Sequence, residues 1–112
     1  MKYFITFGAG NKNFHEAVDR LANQVNKLNL FDKIIPYTED YLKNDNYFWE
    51  KHSFFIENNS RGYGYWLWKP YIIKKTMEEM KDGDILLYLD CGCEINYNDI
   101  KKKKYLKNIL NL

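Results

Sequence analysis

The chain is poor in residues that cross-link or ligate, with two cysteines, two histidines and two prolines. Cys91 and Cys93 have one residue between them, a spacing at which a disulfide rarely closes. No His or Cys set completes a tetrahedral zinc site around them. Both are expected to be small, buried, reduced side chains. His15 and His52 are isolated, each inside a helical pattern, and read as structural. No apolar run is long enough to span a bilayer, and the polar stretch after Asn11 does not fit a signal-peptide cleavage region. A soluble, cytoplasmic protein without a membrane span is the expectation. The formal net charge is only +2, which leaves no electrostatic footprint for a nucleic acid. The one basic block, Lys101 to Lys104, reads as a solvated helix face.

Aromatic residues, by contrast, are plentiful: ten Tyr, seven Phe and three Trp in 112 residues. They suffice to fill a small core and also to line a stacking or sugar-facing surface. The length fits one domain, 1–112.

The pattern alternates strand and helix. Lys2 to Phe7 is aromatic and β-branched and ends in Gly8-Ala9-Gly10, a strand followed by a turn. Asn13 with Glu16 three residues later predicts a capped helix start. Phe14, Val18, Leu21, Val25 and Leu28 form its apolar stripe. Asp32 to Tyr37 predicts a second strand with Pro36 at its end or edge. Strand, helix, strand is a βαβ unit, expected to cross over right-handed. Thr38 caps a brief helical turn through Leu42, and Asn44-Asp45-Asn46 breaks it. Tyr47 to Glu57 resumes helical spacing, with Phe48, His52, Phe55 and Ile56 facing inward. Asn58 to Tyr65 is the main loop. Pro70 sits in the first turn of a further helix, where its missing amide costs nothing. Ile73, Met77 and Met80 are its expected buried stripe, and Gly83 ends it. Asn98 or Asp99 caps a last helix carrying Ile100, Leu106, Ile109 and Leu110. The sum is an α/β fold with a mostly parallel sheet between helices.

The run Ile85 to Leu89 is uncharged and bounded by turn residues, which predicts a strand buried on both faces. It ends in Asp90. Ligands of open α/β sheets sit past the carboxyl ends of the strands, so Asp90 stands where a ligand is expected. Two readings are open. Asp90 caps the strand end, or Asp90 and Glu94 together hold a hard divalent cation, Mg²⁺ or Mn²⁺, with help from substrate phosphates. In the main loop, Gly62 and Gly64 permit close backbone approach, and Arg61 offers a planar charged fork suited to phosphate.

Gly62-Tyr63-Gly64-Tyr65-Trp66-Leu67-Trp68-Lys69-Pro70, followed by a helix and then Leu87-Tyr88-Leu89-Asp90-Cys91-Gly92-Cys93-Glu94, resembles the nucleotide-diphospho-sugar transferases with a GT-A fold. The resemblance runs from the first strand to about Asn96. It implies a Rossmann-like three-layer α/β/α architecture, of which this chain is the donor-binding half. It also implies a UDP- or GDP-linked sugar as donor and glycosyl transfer to an acceptor. Asp90 matches the first aspartate of the family's D-x-D motif, which contacts ribose or metal. Thr6, Phe7 and Gly8 fall where the family cradles the base, and Lys69 falls near the sugar diphosphate, with Arg61 beside it. Two departures stand out. Gly92 replaces the second aspartate, so metal binding would rest on Asp90 and Glu94. The length covers only about half of such an enzyme, and no acceptor-side base is assignable. The alternative is a non-catalytic fragment serving as a binding or assembly module, with a second copy or a completing chain as its partner. A dinucleotide site at Gly8-Ala9-Gly10 lacks its third glycine, because Asn13 stands there, and lacks an evident acidic residue after the second strand.

Overall fold

The computed structural model describes residues 1–96; the last predicted helix and Lys101–Lys104 lie outside them. Three strands, β1 (Lys2–Phe7), β2 (Lys33–Tyr37) and β3 (Ile85–Tyr88), form a parallel sheet in the order β2-β1-β3. Between them run α1 (Lys12–Asn26), α2 (Glu39–Lys43), α3 (Asn46–Glu57), a single turn α4 (Gly62–Tyr65) and α5 (Trp68–Glu78).

β1 is the organising strand. Its residues Tyr3 to Phe7 are all buried, which suits the β-branched and aromatic character of the run. Alternate side chains feed two cores. Phe4 packs with Leu21 and Val25 of α1, whereas Ile5 and Phe7 pack with Tyr37, Leu42, Phe48, Ile56, Trp68 and Ile72. β3 was expected to be buried on both faces. It is instead only partly buried throughout, because among the described residues it pairs with β1 alone.

The helices follow the predicted pattern with three shifts. Asn11, not Asn13, caps α1, its side-chain oxygen accepting from the Phe14 amide at 3.1 Å. Phe14 itself is exposed, and so is Phe55 of α3. The buried stripe of α5 is Trp68, Ile72 and Thr76, and Met77 is exposed. Thr76 is tolerated inside because its hydroxyl donates to Ile72 O at 2.7 Å and meets the Tyr37 hydroxyl at 2.9 Å. Asp45, which breaks the pattern before α3, is that helix's N-cap.

Thr6 is the exception to this satisfaction of polar atoms. It is fully buried, and its hydroxyl has no hydrogen-bond partner among the described residues. An unpaired buried hydroxyl is a net cost. Thr6→Val keeps the shape and removes the orphan, so we expect about 1 kcal/mol of added stability, read as a higher midpoint in thermal unfolding.

Candidate functional site

The strand order fixes where a ligand is expected. From β1 the chain moves to β2 on one side, then returns to place β3 on the other. Such a reversal opens a crevice at the carboxyl ends of the two diverging connections. A cavity of about 820 Å³ lies there, lined by Phe7 and Gly8 at the end of β1 and by Tyr88, Asp90, Cys91 and Gly92 at the end of β3. It falls within the range of roughly 300–1,000 Å³ common for small-molecule sites.

An aromatic pair makes its floor. Phe7 and Trp68 stack with ring centroids 3.9 Å apart, and both line the cavity. Trp68 donates through Nε1 to Gly62 O at 2.9 Å, tying α5 to the turn before it.

That turn is wound left-handed. Gly62, Tyr63, Gly64, Tyr65 and Trp66 all have positive φ, between 50° and 85°. The Tyr65 amide bonds Arg61 O at 2.8 Å and the Trp66 amide bonds Gly62 O at 2.9 Å, which is helical bonding of the opposite hand. For residues with a Cβ this costs roughly 1–2 kcal/mol each. The cost is tolerated where surrounding structure holds the segment, and such strain gathers at functional sites. Here Arg61, Gly62, Tyr63 and Trp66 all line the cavity. The glycines are needed for space as well as for φ. A Cβ on Gly62 would lie 2.5 Å from the Trp66 ring, and one on Gly64 would lie 2.7 Å from Ile56 Cγ1.

Asp90 closes the opposite end. Its Oδ1 accepts from the Tyr88 hydroxyl at 2.8 Å and lies 3.2 Å from Lys69 Nζ. The Lys69 ammonium also sits 4.9 Å from the Tyr88 ring centroid, within cation–π range. The Tyr88 bond, followed by Lys69, holds the Asp90 carboxyl below its ordinary range despite opposing burial. Burial, reinforced by the bond to Asp90, pushes the Tyr88 phenol up. The loop after Asp90 is held by Arg20 of α1. Its guanidinium donates to the carbonyls of Cys91 and Cys93, each at 3.0 Å. Gln24 of the same helix accepts from the Ile95 amide at 3.1 Å.

A second acidic group also lines the cavity. Glu39, at the start of α2, lines it and accepts from His15 Nε2 at 2.9 and 2.7 Å. Burial raises the Glu39 carboxyl, but the His15 bond and the amides of Glu39 and Gly10 outweigh it and leave it lowered. This is the acidic residue after β2 that the sequence did not make evident.

Of the sequence-predicted site residues, Phe7, Gly8, Arg61 and Asp90 line one cavity. Lys69 stands one side chain behind, through Asp90 and Tyr88. Thr6 is fully buried within β1 and outside the lining. Glu94 is also outside it, exposed, with its carboxylate 4.0 Å from Arg20. Cys91 is buried and Cys93 exposed, so the expectation that both are buried holds for the first alone.

Asp90 and Glu94, the two carboxylates expected to share a divalent cation, are not brought together in the cavity. Of the two, Asp90 alone lines it, and its Oδ1 already serves an ammonium and a phenol. Among the described residues no group of three His, Cys, Asp or Glu side chains is placed to share a cation.

The shifted groups set the pH limits of the fold. The carboxyls of Asp45, Asp90 and Glu39 are lowered in the folded state. They therefore stabilise it above their unfolded values, and that contribution is lost as pH falls below about 4. Burial raises the tyrosines, Tyr41 and Tyr63 to about 12. The folded state keeps them neutral while the unfolded chain ionises near pH 10. Their contribution is full below about pH 10 and is lost as pH rises toward 12. Circular dichroism with tyrosinate absorbance is expected to show a stability plateau bounded at both ends, with alkaline unfolding coincident with tyrosine ionisation.

Searches against family models, curated proteins and solved structures return no match for this chain.

Proposed function

We propose that the crevice binds a nucleotide-diphospho-sugar and that the chain is a glycosyltransferase-type donor domain of Rossmann-like, three-layer GT-A architecture. One observation carries the reading: a cavity at the reversal of strand order brings together Asp90, Arg61 and an aromatic floor. The exposed ring of Trp66 suits stacking on a base or sugar ring, with the buried Phe7–Trp68 stack packed in the cavity wall. Arg61 suits a phosphate through its forked donors. Glu39, held by His15, is an acceptor for a ribose or sugar hydroxyl. In glycosyl transfer the leaving nucleoside diphosphate gathers negative charge. A cation beside it, Arg61, lowers the barrier by favouring that charge.

Isothermal calorimetry with a panel of UDP- and GDP-linked sugars tests this reading. We expect saturable binding to at least one, weakened by Arg61→Ala. Absence of binding across the panel overturns it.

The exposed aromatics Phe54, Phe55, Tyr47 and Tyr65 favour a second reading, a binding or assembly module. Light scattering on the eluting chain separates the two, since a monomer that binds donor leaves no role for assembly.

A further inference from the structure

We infer that the aromatic rim of the crevice, Tyr65 with Phe55, is an acceptor subsite, and that the acceptor it takes is a carbohydrate chain. This rests on the donor-site reading above and names the second substrate of that site.

The rim continues the crevice. Glu57, Ser60, Arg61 and Trp66 line the cavity, and Phe55 and Tyr65 each stand within two residues of one of them. The Phe55 and Tyr65 rings meet between α3 and the left-handed turn, with centroids 6.2 Å apart. Asn59 ties the two elements together. Its side chain donates to Phe55 O at 2.8 Å, and its own carbonyl accepts from the Gly64 amide at 2.8 Å. Both rings are therefore placed before a ligand arrives, which lowers the ordering cost of binding.

Strain marks these rings as more than packing. Positive φ is costly for Tyr63, Tyr65 and Trp66, and burial of the side chains would offset it. Tyr63 is partly buried, but Tyr65 and Trp66 are 54% and 46% exposed, and Phe55 is 45% exposed. Strained backbone of this kind gathers at binding sites, and here it turns aromatic faces toward solvent at a cavity mouth.

The groups around the rings select the occupant. A pyranose presents a face of C–H groups bordered by hydroxyls, which fits an aromatic ring flanked by hydrogen-bonding side chains. Glu57 accepts, Arg61 donates and Ser60 does either, and all three are exposed at the cavity wall. An acyl chain or an apolar protein surface would cover these groups without pairing them, a cost that sugar hydroxyls avoid. A donor sugar against Trp66 then lies beside an acceptor sugar against Tyr65. In the transfer already proposed, the acceptor hydroxyl oxygen bonds to the donor's anomeric carbon. The diphosphate leaves with the electron pair of the broken C–O bond, and the hydroxyl proton passes to water.

The test titrates the full chain by calorimetry with millimolar cellohexaose, maltohexaose, mannohexaose and chitohexaose, and with UDP- and GDP-linked sugars in parallel. We expect saturable binding of at least one hexasaccharide. Tyr65→Gly removes the ring at a position whose φ of 50° glycine adopts freely. We expect it to weaken that binding by about tenfold, the scale of one lost stacking contact, while the thermal midpoint stays level or rises. A ring that served packing alone would lower the midpoint on removal. Phe55→Ala, outside the turn, should weaken hexasaccharide binding likewise. Absence of binding by all four hexasaccharides overturns the inference, and donor-sugar binding in the same series leaves the donor-site reading standing. A folded Tyr65→Gly chain that binds as tightly as the original also overturns it. With no hexasaccharide bound, capture by phosphatidylcholine–phosphatidylglycerol vesicles assigns the rim to a membrane. A dimer that Tyr65→Gly disperses, seen by light scattering, assigns it instead to a second copy. Hexasaccharide binding without any nucleotide-sugar binding removes the donor-site reading and, with it, the acceptor role.

Discussion

Replacing Trp68 by alanine is expected to cost about 4 kcal/mol, within the range for emptying a buried aromatic site. That is a large part of the 5–15 kcal/mol typical of a small domain. The residue is nearly fully buried, stacks on Phe7 and donates to Gly62 O. Its removal opens a void against β1 and takes away one of the two hydrogen bonds on Gly62 O, leaving that from the Trp66 amide. The turn is costly for Tyr63, Tyr65 and Trp66, so with that tether gone it should relax toward ordinary backbone. Chemical denaturation will show the stability loss. Trp68→Phe separates the two contributions. It keeps most of the ring stack and lacks the indole donor, and is expected to lose only about 1–2 kcal/mol while still disturbing the turn and ligand binding.

The second large effect is expected at Gly8. A Cβ there would lie 2.4 Å from Val18 Cγ2 and 2.7 Å from Phe14 O. Val18 could shift, but Phe14 O is backbone of α1, so the helix would have to lift from the strand. Overpacking of this kind costs about 1–3 kcal/mol, and we place Gly8→Ala at the upper end. That corresponds to a fall of roughly 10–20 °C in melting temperature. Asn11 and Phe14 ride on that helix start and line the cavity, so binding should fall along with stability. The double change Gly8→Ala with Val18→Ala is informative. It relieves the side-chain clash and leaves the carbonyl clash, so rescue should be partial. Full rescue would mean that the side-chain contact alone demands glycine.

Gly8 also illustrates what the sequence made legible and what it did not. The glycine after the first strand was visible as a turn residue, yet its service is close helix–strand packing, which depends on a helix turn up to ten residues further on. β1, α1 and β2 were readable because their apolar spacing is local. The α5 stripe was misplaced because Ile73, Met77 and Met80 offered an all-apolar stripe, whereas the buried one includes Thr76. The true stripe needs a hydroxyl satisfied by Tyr37, a partner from another element. The partial exposure of β3 could not be read from its composition, since an apolar run does not announce which neighbours it will have. Of the residues expected at a site, Asp90 and Arg61 do line the cavity, whereas Lys69 stands behind it. Arg20 and Glu39 escaped notice. A basic residue within α1 and an acidic one opening a short helix look solvated until the fold brings Cys91 and His15 against them. The left-handed turn left one trace, the pair Gly62 and Gly64. Aromatic neighbours argue against positive φ, and only the packed structure overrules them.

The sheet order has a consequence for how the molecule is made. β1 emerges from the ribosome first, yet its register with β3, Lys2 opposite Ile85, waits on a segment translated far later. At roughly 5–20 residues per second, the apolar centre of the protein spends several seconds with β2 alone for company. No hairpin shortens that wait, because parallel strands have none. Nascent chains halted before Ile85 should therefore be clients for chaperones, and the crevice at Asp90 should become competent only once β3 has been made.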